Sequence, residues 1–139
     1  MSPRPRLLVT GASGFIGGAL GARLLREPQR WSETLFLVRA SNASAGRKRL
    51  AGVMRRHGVP EADLQRLEES QILCGDLQSV RRWCDDPRIA SIERVVSSAA
   101  VASFGNHPSI WPVNVDGVLA MARAQQARCR LRQIGRAHV

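Results

Sequence analysis

The chain has 139 residues, about one domain's worth, and 44% of them are hydrophobic, enough for a packed core. No apolar run approaches the roughly 20 residues a membrane span needs, and the opening MSPRPR lacks the apolar stretch of a secretory signal. The net charge of +10 invites a nucleic-acid partner, but Lys48 is the only lysine, the arginines are spread along the whole chain, and aromatics at 4% offer no stacking platform, so nucleic acid is set aside.

Cys74, Cys84 and Cys129 form no C-x-x-C and cannot all pair with one another, and His57, His107 and His138 share no ligand spacing with them. Free thiols in a cytoplasmic protein are the expectation, and no metal site is expected.

In chain order, Leu7-Leu8-Val9 is an apolar run that predicts a buried strand of a parallel sheet. Gly11, Gly14 and Gly17 follow in the spacing G-x-x-G-x-x-G, and a helix carrying Phe15, Ile16, Leu20, Leu24 and Leu25 comes next. Strand, glycine turn and helix form the dinucleotide-binding arrangement. Gly11 permits the tight exit from the strand, Gly14 lets the backbone approach a pyrophosphate, and Gly17 lets the helix lie close to the strand. The helix N-terminus presents its N–H groups and positive dipole end to the phosphates.

Arg26 to Thr34 reads as a polar connection, and Leu35 to Val38 as the second strand, with Arg39 at its carboxyl end. That position faces the adenine ribose in a Rossmann unit, where an acid binds the 2′-hydroxyl of NAD and an Arg accommodates the 2′-phosphate of NADP. The alternative for Arg39 is an exposed Arg at a strand end. Ser41 to Ser44 is a turn with N-cap residues. Ala45 to His57 is a helix with Leu50, Val53 and Met54 on its apolar side, and its first turns hold Arg47, Lys48 and Arg49, a second source of phosphate contacts.

Gly58-Val59-Pro60 breaks the pattern, and Glu61 to Glu69 reads as a short helix. Ile72-Leu73 is the third strand, followed by Gly75-Asp76-Leu77. Asp76 is placed to accept a hydrogen bond from the adenine amino group, or to cap a helix. Ser79 to Asp86 is a short helix or turn with Trp83 packed inward. The fourth strand lies around Val95-Val96, and its small-residue exit Ser97 to Ala100 lets a nicotinamide lie close to the backbone. Trp111 to Arg128 is a helix with Asn114 near its start.

TGASGFIGG, LFLVRA followed by Arg49-Leu50, CGDL, SSAAVASF and NVDG occur in this order over roughly residues 6 to 128. Together they resemble the N-terminal half of an extended short-chain dehydrogenase/reductase, of the NAD-dependent epimerase/dehydratase superfamily, nearest its thioester-reductase and fatty-acyl-CoA-reductase-like branch. The resemblance implies an NADP-dependent oxidoreductase in which NADPH delivers hydride to an acyl thioester. It implies that Gly11, Ser13, Gly14, Phe15, Ile16 and Gly17 bind pyrophosphate, and that Arg39 and Arg49 hold the 2′-phosphate. It further implies that Asp76 and Leu77 flank adenine, that Ala99, Ala100 and Val101 line the ribose–nicotinamide path, and that Asn114 fixes the central strands or a catalytic water.

Two departures stand out. Members of the family often carry His or Asn where Ser97 stands. The family's proton donor is a Tyr in Y-x-x-x-K with a Ser or Thr after the fifth strand, and this chain has no tyrosine. A general acid cannot act from a residue that is absent, so no catalytic residue is assigned. Ile134 to Val139, IGRAHV, looks like the translation of a sequencing adapter. The expected organisation is therefore a partial NAD(P)-binding Rossmann domain over 1–133 and a non-native tail over 134–139. The expected sheet is a doubly wound parallel one of about four strands in the order 3-2-1-4, with the fourth strand an unpaired edge prone to association. The alternative functions are a fragment of an NAD-dependent sugar epimerase/dehydratase and a non-catalytic NAD(P)-sensing protein.

Overall fold

The computed structural model describes residues 4–99, 108, 111–128 and 133–136. A parallel sheet runs through it, built from β1 (Leu7–Thr10), β2 (Thr34–Val38), β3 (Ile72–Cys74), β4 (Arg94–Ser97) and β5 (Gln133–Arg136), in the order β3-β2-β1-β4-β5. The expected order 3-2-1-4 is present. Leu8 sits opposite Leu35 on one side and Val95 on the other, and Phe36 opposite Ile72.

The fourth strand is not an edge. β5 pairs with it in parallel, Val95 opposite Ile134 and Val96 opposite Gly135. The apolar Val95-Val96 pair demands a central position, and the strand that supplies it begins at Gln133 and runs into the segment whose sequence resembles an adapter.

Helices cover both faces: α1 (Phe15–Leu24), α2 (Pro28–Ser32), α3 (Ala43–Arg56), α4 (Glu61–Leu64), α5 (Val80–Trp83) and α6 (Val118–Arg128). The two-residue alternation of the strands sorts the core into two layers. Leu8, Leu35, Leu37, Leu73 and Val95 face Trp83, Ile89, Ile92 and Met121 on the α5/α6 side. Val9, Phe36, Val38 and Ile72 face Leu24, Trp31, Leu50 and Met54 on the α1/α3 side. All five residues of β2 are buried, which is why this strand reads as a continuous apolar run.

Several local expectations shift. The connection 26–34 contains α2, opened by Pro28 at its first turn, and its Trp31 is buried against the Phe36 ring at 5.4 Å between centroids. α3 starts at Ala43 because Asn42 caps it, its Oδ1 accepting from the Ala45 N–H at 2.8 Å. The helix expected over 61–69 stops at Leu64, and Glu69–Gln71 forms a separate tight turn. Gln71 is buried there and donates to the Trp31 carbonyl at 2.8 Å, which aims the chain into β3. The helix expected from Trp111 begins with a π-helical turn, Pro112–Gly117, before α6.

Candidate cofactor-binding site

In a parallel sheet of this kind ligands bind outside the carboxyl ends of the strands, where the strand order reverses. A cleft of about 400 Å³ lies there. The residue immediately after each of the first four strands lines it: Gly11 after β1, Arg39 after β2, Gly75 after β3 and Ser98 after β4.

The glycine turn is built by backbone packing. Gly11 has φ of 67°, in the left-handed region, and a Cβ there would sit 2.6 Å from the Ser98 carbonyl carbon. A Cβ on Gly17 would sit 2.6 Å from the Gly11 carbonyl carbon and 2.8 Å from Ala12 Cα. The first turn of α1 is thereby pressed against the strand exit. Gly14 caps α1 without any side-chain hydrogen bond, and no acidic residue stands in the first turn. Such a helix start is an anion site, with N–H groups and dipole aimed outward.

The other end of the cleft is cationic. Arg39 and Arg49 both line it, and Arg49 Nη1 donates to the Arg39 carbonyl at 2.9 Å, tying α3 to the end of β2. Gly75, Asp76, Leu77 and Gln78 make the adjoining wall. Asp76 Oδ1 accepts from the Gln78 N–H at 2.9 Å, so this carboxylate shapes its own turn instead of capping a helix through that oxygen. Leu77 is buried, and Gly117 packs on it; a Cβ on Gly117 would lie 2.7 Å from Leu77 Cβ. The glycine of NVDG is needed for that approach.

Of the residues expected in the site, Gly11, Ser13, Gly14, Arg39, Arg49, Asp76, Leu77 and Ala99 line the cleft. Gly17 lies behind the turn. Phe15 and Ile16 do not line it, and the Phe15 side chain is 82% exposed and rests on the His57 ring at 5.3 Å. Asn114 is half-buried in the π-helical turn, and its neighbour Val113 lines the cleft instead. Ala100 and Val101 lie outside the described residues. Leu37, Gly75, Gln78 and Val113 join the lining without a sequence signal of their own for it, and Ser98 joins it from the small-residue exit expected after the fourth strand. Each is a direct or alternate neighbour of an expected residue.

Ser97 has a structural role at the exit of β4. It bonds Thr10 hydroxyl to hydroxyl at 2.8 Å, buried, and Ser98 Oγ donates to the Thr10 carbonyl at 2.9 Å. Nearby, burial pushes the Cys74 thiol above its ordinary pKa, with Arg88 opposing, so it is held neutral and is a poor nucleophile.

A larger cavity, about 910 Å³, opens at the opposite end of the sheet between Arg6, Gln71, Arg88 and Glu93. Three of its arginines are already engaged: Arg6 with Glu93 at 2.8 Å, Arg66 with the Leu25 carbonyl at 2.8 Å, and Arg88 with Asp86 at 2.9 Å and the Ser70 carbonyl at 2.8 Å. The carboxyl-end cleft, with an uncapped helix start, is the better ligand site.

A family model, Male sterility protein, matches residues 9–134. The chain thus belongs to this family of NAD(P)-binding domains, within the extended short-chain dehydrogenase/reductases and on their thioester-reductase-like branch. The nonribosomal peptide synthetase asaC of Aspergillus flavus is 38% identical over 72 residues, which are 52% of this chain and 7% of that protein. The reductase domain of a Mycobacterium tuberculosis nonribosomal peptide synthetase superposes with a TM-score of 0.68 at 28% identity, over 96% of this chain and 34% of that one. A thiolation-reductase di-domain from an archaeal nonribosomal peptide synthetase shares the fold with a TM-score of 0.71 at 24% identity, over 96% and 35%. The chain spans about a third of the length of these solved structures. Among the described residues no helix is long and apolar enough to cross a membrane.

Proposed function

We propose that the chain is the NADP(H)-binding half of a cytoplasmic reductase that passes hydride to an acyl thioester. The observation that carries this reading is the cleft itself: an uncapped helix start at Gly14 on one side and the Arg39–Arg49 pair on the other, linked by the carboxyl ends of β1 and β2. The dinucleotide supplies a transferable hydride when bound. Gly11, Ser13 and Gly14 hold the pyrophosphate, with the first-turn N–H groups of Phe15, Ile16 and Gly17 behind it. Arg39 and Arg49 take the 2′-phosphate, an arrangement in which planar guanidinium groups match phosphate oxygens. Asp76 and Leu77 flank the adenine. Ala99, followed in sequence by Ala100 and Val101, borders the nicotinamide, and Asn114 supports that end.

The thioester reading is supported by the reductase domains named above and by the branch of the family. It is a proposal about the longer protein, because this chain carries no tyrosine to act as proton donor. Calorimetric titration of the chain with NADPH and with NADH tests the cofactor assignment. Equal affinities overturn the NADP preference, and failure to bind either overturns the site. Loss of NADPH absorbance with an acyl thioester, in a polypeptide that includes the remainder of the reductase domain, tests the substrate class.

A further inference from the structure

We infer that Trp83, a buried indole outside the cleft, is the positioning residue that lets the cleft tell adenine from other bases; the inference rests on the cofactor reading above. Four consecutive residues, Gly75 to Gln78, form one wall of the cleft. Three of them are fixed by contacts with the rest of the fold. The Gly75 N–H donates to the Val38 carbonyl at 3.0 Å, and Leu77 is wedged against Gly117. The Asp76 carbonyl accepts from the Ser79 N–H at 3.3 Å and from Trp83 Nε1–H at 2.8 Å.

The indole and the loop backbone lock one another. Trp83 is 3% exposed and belongs to the layer with Leu37, Leu73 and Leu77. Its ring lies so close to Gly75 that a Cβ there would be 3.1 Å from both Cγ and Nε1 and nearer still to Cδ1. The indole N–H therefore sets the plane of the Asp76–Leu77 peptide and, with it, the direction of the Asp76 side chain. One carboxylate oxygen of Asp76 is held by the Gln78 N–H. The second is left to accept from a base that offers an amino donor. Adenine has that donor; hypoxanthine has a carbonyl in its place, which faces the carboxylate as acceptor against acceptor. A misplaced acceptor loses this discrimination because only an aligned, paired group separates the two bases.

The test titrates the full chain with NADPH and with its hypoxanthine analogue. Trp83→Phe keeps an aromatic ring and deletes the bond. Gly75→Ala keeps the indole and displaces it. Trp31→Phe is the control: that indole is equally buried and donates to the Arg66 carbonyl at 3.2 Å, far from the cleft. Both Trp83→Phe and Gly75→Ala are expected to weaken NADPH by about three- to tenfold, part of the worth of one hydrogen bond to a carboxylate, and to shrink the ratio of the two affinities. Trp31→Phe is expected to lower the melting temperature and leave the ratio intact. A Trp83→Phe or Gly75→Ala chain that keeps the parent's ratio, or a Trp31→Phe chain that loses it, overturns the inference. A parent chain that binds neither dinucleotide overturns the cofactor reading and this inference with it.

Discussion

Thr10 and Ser97 lie opposite one another in the β1–β4 ladder, and their hydroxyls share a buried hydrogen bond of 2.8 Å at the point where the two strands open into the cleft. Each hydroxyl satisfies the other with no solvent to replace it. Thr10→Val keeps the shape and leaves Ser97 Oγ without that partner, so it is expected to cost about 1–3 kcal/mol. Adding Ser97→Ala is expected to recover part of the loss, because both polar groups are then gone. Urea unfolding of the two single variants and the double variant measures this; additive losses would disprove the pairing argument.

Arg39 stands where an acid would select NAD. Arg39→Asp is expected to weaken NADPH by at least about tenfold and to narrow or reverse the preference over NADH, since one charge-assisted contact is worth about 1.5–3 kcal/mol. Calorimetry with both cofactors decides it. An unchanged ratio would remove Arg39 from the 2′-phosphate site.

Two glycine substitutions should act in opposite directions. Gly17→Ala places a Cβ 2.6 Å from the Gly11 carbonyl carbon, and relieving that overlap by moving backbone is expected to cost about 1–3 kcal/mol. It should also weaken dinucleotide binding, because the glycine turn moves. Gly52 sits inside α3, and a Cβ added there would meet nothing within 4 Å. Gly52→Ala is expected to raise stability by about 0.5–1 kcal/mol through helix propensity. Thermal melts of both variants check the signs.

Acid sensitivity has an identifiable source. The Arg88 side chain, through Nε at 3.0 Å and Nη2 at 2.9 Å, holds the Asp86 carboxyl below its ordinary value; partial burial opposes this, and the Arg88 N–H bond assists it. Because the folded value lies below the unfolded one, the pair's contribution is complete above the ordinary carboxylate range and is lost as pH falls through the folded value. Asp86→Asn is expected to be less stable than the parent at neutral pH and to lose less on titration to about pH 2. Arg88 also bonds the Ser70 and Ile72 carbonyls, so a parallel pH curve for the variant would point to those bonds instead.

The chain by itself is expected to show no reductase or epimerase turnover, as it has no tyrosine to donate a proton. NADPH oxidation with a thioester substrate, abolished by Gly14→Trp, would contradict this.

How legible all this is in the sequence varies by element. Leu7 to Gly18 announces itself because strand, turn and helix requirements fall on adjacent residues. Arg39 and Asp76 are legible for a similar reason, each lying within two residues of an apolar strand's end. α2 is hidden, since Trp31 is the only buried residue in its five and no periodicity can show in a single turn. β5 is hidden because Gln133–Arg136 lacks the apolar run of its neighbours; it becomes a strand only beside Val95-Val96. Gly75 and Val113 join the cleft through three-dimensional convergence of distant segments, which spacing along the chain does not reveal.

The placement of β1 between β2 and β4 also sets the order in which the sheet can be assembled. Thr10 waits for Ser97, 87 residues further on. At about 5–20 residues per second of synthesis, roughly 4–17 s pass before that partner strand exists. Throughout that interval Leu8 and Val9, both fully buried in the finished fold, border an open parallel edge on the nascent chain. Long-range closure of this kind is slow compared with local helix formation. That edge is therefore open to pairing with any other strand before β4 exists.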